Sequence, residues 1–323
     1  MKELNPYVMA VEQKVNPFLK INESTGFSNI ADVHGNRFLN KDGTYNLRRE
    51  GRKFWNRFSV YHALLNLSWP TFVLCLVAAY CCINLLYASL YLLIGISQLQ
   101  GVVSHTAWGI FKEAFFFSTE TFTTVGYGRV NPVGDGANLL AAIEAMSGFL
   151  SFAVATGLIY GRFSRPRAHL AFSEYAVIAP YDGGAALMFR FAGYKDEHTL
   201  CDVTVQVNMA MLAEVNGKKR YQYYELKLER NKVENLPMNW TVVHPIDNES
   251  PIQGLTAADL EAADVEIYVM IRGFNDVYSN FVLQRTSYTF DEIKFGRKFV
   301  PMYREDGSMT VLEMHKLSKS VEV

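Results

Sequence analysis

Two long apolar runs dictate what this chain can become. From Pro70 to Gly95 the sequence PTFVLCLVAAYCCINLLYASLYLLIG carries no charged residue. About 20 apolar residues cross the hydrocarbon layer of a bilayer as a helix, so this run is long enough to span one. From Ala137 to Gly161 the run ANLLAAIEAMSGFLSFAVATGLIYG is the second, interrupted only by Glu144. Arg48, Arg49, Arg52, Lys53 and Arg57 precede the first run, and Arg162, Arg165 and Arg167 follow the second. Basic flanks stay on the cytoplasmic side, so both termini are expected there.

Half of the 323 residues are hydrophobic and 14% are aromatic, yet mean hydropathy is only +0.02 because the apolar residues are concentrated in these two runs. A membrane part joined to a soluble part is implied. The formal charge of −1 gives no basic field for nucleic acid. Cys75, Cys81 and Cys82 lie in the first span and Cys201 far from it, which suits small buried hydrophobes better than a disulfide framework. Residues 1 to about 40 lack the apolar core of a signal peptide.

Between the spans, Trp108 to Phe122 is apolar but too short to cross, and it holds Lys112, Glu113 and Glu120. A re-entrant helix over about 110–122 fits. Before the first span, Phe54, Phe58, Tyr61 and Leu65 repeat at helical spacing opposite Lys53, Asn56 and Arg57. Trp69 and Pro70 close this segment, which favours a helix lying on the membrane over a soluble amphipathic one. Past Pro166 the pattern changes to short β-branched and aromatic runs, such as ALMFRF, CDVTVQV, NWTVVHPI and VEIYVMI. Tyr181-Asp182-Gly183-Gly184, Asn216-Gly217 and Asp306-Gly307 mark turns between them. One short helix, Ala257–Ala263, is expected after the capping pair Thr256 and Asp259. The fold class is therefore membrane α plus cytoplasmic all-β, the β part being an immunoglobulin-like sandwich. Four regions follow: a cytoplasmic segment (1–50), an interfacial helix (51–67), a membrane domain (68–164) and the sandwich (165–323). The seven His are scattered and no catalytic or metal constellation stands out, so no enzyme is expected.

Directly after the re-entrant segment stand Thr124-Val125-Gly126-Tyr127-Gly128, the sequence TVGYG. This is identified as the filter signature of potassium channels, whose four loops replace the water around a dehydrated K+ with carbonyl oxygens. Glycines at alternate positions permit backbone conformations that turn successive carbonyls to one side. The backbone carbonyls of Thr124, Val125, Gly126 and Tyr127 are the expected K+ ligands, with Tyr127 packing outward on the pore helix. One chain cannot close a ring, so a homotetramer is implied. RFLNKDGTYNLRR (37–49), FSVYHALLNLSWP (58–70), GRFSRPRA (161–168), ALMFRFA, WTVVHPID and SYTFDEI are similar to phrases of the inward-rectifier potassium channels. That family's animal members carry a cysteine on each side of the pore loop. None stands there in this sequence, so it resembles the bacterial branch, and a multi-pass protein of the cell's inner membrane is implied.

The resemblance implies further roles. Phe152, Thr156 and Tyr160 recur every four residues along the second span, which the resemblance turns toward the pore, with Tyr160 as the gate. Gly148 admits two readings, a bend or a close helix contact. Strong rectifiers carry an acid where Phe152 stands, so block by Mg2+ or a polyamine should be weak, with Asp202 as a candidate vestibule acid. Gly273 and Phe274 belong to a loop, about 273–279, resembling the family's cytoplasmic constriction, and Arg272 brings positive charge near it. Glu120 and Arg129 resemble an ion pair behind the filter. Arg52, Lys53, Arg57, Arg165 and Arg167 suit anionic lipid headgroups at about 1 kcal/mol each, although the positive-inside tendency alone also explains them. Glu144 receives no role. No arginine-rich voltage sensor, Gly-rich phosphate loop or repeated pore motif is present. A transporter would need repeated pore motifs, and a receptor for an extracellular ligand would need the opposite topology.

Overall fold

The computed structural model describes residues 14–16, 19–26, 37–48, 50–51, 59–195, 199–215 and 218–323. They form two compact units, one ending at Arg165 and one that joins the residues up to Arg48 with Pro166–Val323.

In the first unit α1 (Val60–Asn66) is short, and α2 (Trp69–Ile94) and α4 (Asp135–Phe163) are long. Twenty-six and 29 residues correspond to about 39 and 43 Å of helix. Both present large aliphatic side chains outward, including Val73, Leu74, Leu86, Leu139 and Val154. Such surfaces suit hydrocarbon and not water. Cys75 and Cys82 are exposed and Cys81 is half-buried, so none of the three span cysteines is buried within this chain as expected. Between the long helices, α3 (Ala107–Phe122) packs on both, and a two-stranded ribbon of β1 (Leu99–Gln100) and β2 (Asn131–Pro132) ties the loops on either side of it together. Tyr91, Leu99, Phe117, Val130 and Ala137 form the small core here. Of the expected interfacial helix, Tyr61 and Leu65 lie on α1, whereas 52–58, with Arg52, Lys53, Phe54, Arg57 and Phe58, lies outside the described residues.

The second unit is a sandwich. One sheet is ordered β11-β10-β6-β7, with β8 also on β6; its strands are β6 (Leu200–Val215), β7 (Lys218–Glu225), β8 (Lys232–Leu236), β10 (Glu266–Asn275) and β11 (Asn280–Thr289). The other is ordered β12-β4-β5-β3, with β9 also on β5, from β3 (Leu170–Phe172), β4 (Ala176–Tyr181), β5 (Gly184–Gly193), β9 (Asn239–Ile246) and β12 (Ile293–Phe295). Alternate residues point inward, as the two-residue period of a strand demands: Leu187, Phe189 and Phe191 from β5 meet Val203, Val205, Val207 and Met209 from β6 and Ile267, Val269 and Ile271 from β10. The Tyr181–Gly184 hairpin forms as expected, with Asp182 and Gly183 at φ +46° and +76°. Asn216-Gly217 lies outside the described residues. The short helix α5 (Ala257–Ala262) begins in the predicted capping box of Thr256 and Asp259.

The resemblance of 37–49 to the family implies a cytoplasmic strand there, and the described residues 37–48 do not form one. Leu39 and Tyr45 bridge each other instead, and the Glu266 carboxylate accepts from the Phe38 and Leu39 amides at 3.0 and 3.2 Å. Lys41 reaches Glu292 at 3.0 Å and lies over the Tyr288 ring at 3.9 Å. Side-chain anchors thus replace a ladder.

His244 on β9 is 3% exposed. Its Nδ1 donates to the Lys227 carbonyl at 2.6 Å and its Nε2 meets Ser250 Oγ at 2.8 Å, so the neutral ring is already fully bonded. Burial pushes this imidazole below its ordinary value near 6.5. An unfolded chain takes up that proton first, so stability falls as pH drops below about 6.5, by at most about 1.4 kcal/mol per pH unit. Melting curves of wild type and His244→Gln, recorded across the interval from about pH 7.5 to about pH 5.5, should show a steeper acid loss in wild type; equal slopes would exclude His244 as the source.

Candidate functional site

The helix α3 starts under a Thr106 cap, whose hydroxyl accepts from the Gly109 amide at 3.1 Å. Its far end feeds directly into TVGYG. A helix leaves its last carbonyls without intrahelical partners, and here the following residues use them. The Thr124 amide donates to the Thr121 carbonyl at 3.0 Å, and the Val125 and Gly126 amides both donate to the Glu120 carbonyl, at 2.9 and 3.3 Å. Thr124, Gly126 and Gly128 then have φ of +61°, +55° and +83°, while Val125 and Tyr127 do not enter the positive region. Left-handed residues at every second position turn successive carbonyls to the same side, where an ordinary strand would alternate them. Thr124 adopts this conformation against its own Cβ, a local strain of the kind held at functional sites.

Around this loop the predicted residues are only partly assembled. Arg129 pairs with Glu113 at 3.1 Å, not with Glu120. The reason is direction. After the turn at Thr123 the chain runs back along α3, so Arg129 comes level with residues two helical turns before Glu120. Glu113 also accepts from the amides of Val103 and Ser104, at 3.2 and 3.0 Å, and from Ser104 Oγ at 2.7 Å. Arg129 adds a contact to the Gly101 carbonyl at 3.4 Å. Tyr127 does not pack on its own pore helix; it is 80% exposed in the single chain.

Phe152, Thr156 and Tyr160 share an exposed stripe of α4. Phe152 lines an apolar groove of about 840 Å3 together with Phe122, Thr123, Thr124 and Phe149, which places the inner end of TVGYG near Phe152. Gly148 lies in the middle of an uninterrupted helix. A Cβ there would meet the Phe122 carbonyl oxygen at 2.0 Å, so close contact with the end of α3, and not a bend, accounts for it.

Arg162, read from sequence only as a flanking charge, proves central. Its Nη1 donates to the carbonyls of Leu64 and Leu65 at 2.8 and 3.2 Å, and its Nη2 to that of Leu67 at 2.8 Å. The guanidinium also stacks over Trp69 and Phe72, at 4.7 and 4.5 Å. The last turn of α4 is thereby fastened to the end of α1. Arg165 donates to Asn66 Oδ1 at 2.7 Å, while Arg52, Lys53 and Arg57 lie outside the described residues. Arg167 is exposed in the second unit.

In the sandwich, Asp202 lies at a bulge of β6 opposite Gly273. Thr204 opposes Arg272 and Cys201 opposes Phe274, so Asp202 and Val203 together face Gly273 in a bulge, with Asp202 at φ +51°. Asp202 is paired with Lys232 at 2.5 Å. Arg272 lies over the Phe281 ring at 4.5 Å, and Phe274 meets Phe281 edge-on at 5.5 Å. Gly273, Phe274 and Asn275 are still strand, so the expected constriction loop reduces to residues 276–279.

The family described as "Inward rectifier potassium channel C-terminal domain" matches residues 170–323, and the one described as "Ion channel" matches 71–165. The inward rectifier potassium channel Kirbac3.1 of Paramagnetospirillum magnetotacticum is 36% identical over 83% of this chain and 89% of its own. This chain belongs to the inward rectifier potassium channel family. More distant relatives within the family are the ATP-sensitive inward rectifier potassium channel 12 of Bos taurus, 25% identical over 99% of this chain and 81% of its own, and channel 11 of Homo sapiens, 26% identical over 89% and 78%. An inward rectifier is an ion channel and not an enzyme, in keeping with the scattered histidines.

Two outcomes follow from the packing of α3. Glu113→Ala, which strips four donors of their acceptor, should reduce K+ flux and the heat tolerance of the assembled protein more than Glu120→Ala; flux assays and thermal unfolding of both variants decide it. Gly148→Ala should destabilise by about 1–3 kcal/mol, as overpacking does, whereas a glycine needed only for bending would make the same change stabilising in a melting experiment.

Proposed function

We propose that four copies of this chain form a passive K+ pore, with Thr124–Gly128 of each contributing one side of the filter. The observation carrying this reading is the alternation of left-handed residues at 124, 126 and 128, anchored by two amides on the Glu120 carbonyl. Carbonyls turned to one side supply the oxygen ligands that K+ requires in place of water. The negative end of the α3 dipole beside Thr124 favours a cation at the inner mouth.

The exposed stripe of Phe152, Thr156 and Tyr160 then faces the axis, and four Tyr160 rings close a hydrophobic gate near the cytoplasmic end of α4. Exposure of Tyr127 in one chain fits a ring that packs on a neighbouring copy. Both termini lie on the cytoplasmic side of the cell's inner membrane, with the sandwich as a cytoplasmic regulatory domain. Rectification is weak, because Phe152 offers no charge to Mg2+ or a polyamine and Lys232 offsets Asp202. Arg272, Gly273 and Phe274 line the cytoplasmic pore. Arg165 and Arg167, with Arg52, Lys53 and Arg57, take up anionic lipid headgroups that modulate gating.

Purified protein in liposomes should take up rubidium tracer in a Ba2+-sensitive, K+-over-Na+ manner, and Gly126→Ala should abolish it. Flux in the Gly126→Ala protein equal to wild type would overturn the filter assignment. Tyr160→Ala should raise basal flux; unchanged basal flux would remove Tyr160 from the gate.

A further inference from the structure

The carboxyl of Glu144 is fully buried in the middle of the first unit, with Asn84, Ser118 and Tyr91 around it, all at most 1% exposed. These four side chains come from α2, α3 and α4, so the cluster joins the pore helix to both long helices. No Lys, Arg or His pairs with Glu144 among the described residues. From α2 the facing titratable group is Tyr91, whose hydroxyl donates to Glu144 Oε2 at 2.6 Å. From α3 it is met by Ser118, which does not titrate, and α4 contributes Glu144 itself.

The hydrogens in this cluster can be counted. Asn84 Nδ2 lies 2.8 Å from the Tyr80 carbonyl. Only the amide nitrogen can face a carbonyl at that distance, so the orientation of the amide is determined and Asn84 Oδ1 is the atom turned toward Ser118. Ser118 Oγ is 3.0 Å from that Oδ1, 3.3 Å from the Asn84 main-chain oxygen, and in hydrogen-bond contact with Glu144 Oε1. One hydroxyl hydrogen thus faces three oxygens. Were Glu144 ionised, it would draw that hydrogen and leave Asn84 Oδ1 facing the Ser118 oxygen with nothing between them. Buried acceptors are almost never left so. If Glu144 carries its own proton on Oε1, every group is served.

We infer that Glu144 is a neutral carboxylic acid that donates to Ser118 and serves as a positioning residue for the pore helix. The chain then runs from the Glu144 hydroxyl to Ser118 Oγ, from the Ser118 hydroxyl to Asn84 Oδ1, and from Asn84 Nδ2 to the Tyr80 carbonyl, while Oε2 accepts from Tyr91. A neutral acid also avoids an unpaired charge buried at membrane depth. Ser118 lies six residues before TVGYG, and Gly148, one turn beyond Glu144, is already pressed on Phe122. The two contacts together set where α3 ends and hence where the filter begins. The consequence for selectivity rests on the filter reading given above; the protonation does not.

Infrared difference spectra of wild type against Glu144→Gln, taken on the full chain in liposomes at neutral pH, test the proton directly. A protonated carboxyl stretch present in wild type and missing from Glu144→Gln is expected; a carboxylate band in its place overturns the inference. In parallel, rubidium and sodium flux should show Glu144→Gln discriminating as wild type does, because its amide donates to Ser118 and accepts from Tyr91. Glu144→Leu and Ser118→Ala should lose several-fold in K+-over-Na+ discrimination. Ser118→Ala removes one hydroxyl with little change in volume, so it reports even where the leucine variant fails to assemble. Wild-type discrimination in assembled Ser118→Ala overturns the positioning role. Absence of selective flux in wild type would instead bring down the filter reading and leave the infrared result to decide the proton.

Discussion

The filter amides on the Glu120 carbonyl govern how the first unit is built. A backbone that alternates between left- and right-handed residues has no ladder of its own, so nothing within TVGYG keeps it in that state. It inherits its position from the last turn of α3, through the amides of Thr124, Val125 and Gly126. Any tilt of that helix would move the row of carbonyls with it. The rest of the unit is therefore organised around preventing α3 from moving. Gly148 lets α4 meet the Phe122 carbonyl without a side chain between them, the Glu144 cluster ties the middle of the helix to both long helices, and Glu113 binds its first half to the loop at 103–104 and to Arg129.

These contacts divide by chemistry along the helix. At its outer half, the Glu113 carboxylate collects four donors from loops near the surface, where a charge and an exposed arginine are tolerated. In the middle, hydroxyl, amide and carboxyl groups make a closed set with no cation, as a low-dielectric interior demands. At its end, backbone touches backbone. Each device is the one its depth permits.

Much of this was legible beforehand, and the failures share a cause. Apolar runs, TVGYG, the Asp182-Gly183 hairpin and the Thr256 capping box are encoded within a few neighbouring residues, where spacing alone carries the information. The Arg129 partner is not. Choosing Glu113 over Glu120 requires knowing that the chain doubles back along α3 after Thr123, a tertiary fact that no spacing reveals. Gly148 stayed ambiguous for the same reason, since its justification is the Phe122 carbonyl 26 residues earlier. The strand at 37–49 was implied by resemblance to the family alone; the buried carboxylate of Glu266 captured the Phe38 and Leu39 amides instead. Arg162 could have been found from one signal, a basic residue in the last turn of a helix that would otherwise leave carbonyls unserved nearby.

Arg162 also shows how the last turn of α4 is joined to what precedes it. The three carbonyls it binds are those that α1 leaves open at its end and just beyond. A lysine could satisfy one or two of them, but the planar guanidinium reaches all three while lying over Trp69 and Phe72. Any sideways displacement of the last turn of α4 must carry α1 along or break these bonds together. The helix α1 is thereby made part of the same rigid body as the residue two positions before Arg162, which is Tyr160. On the reading that Tyr160 is the gate, whatever pulls on α1 acts on the gate directly, with no need for a signal to travel through the filter.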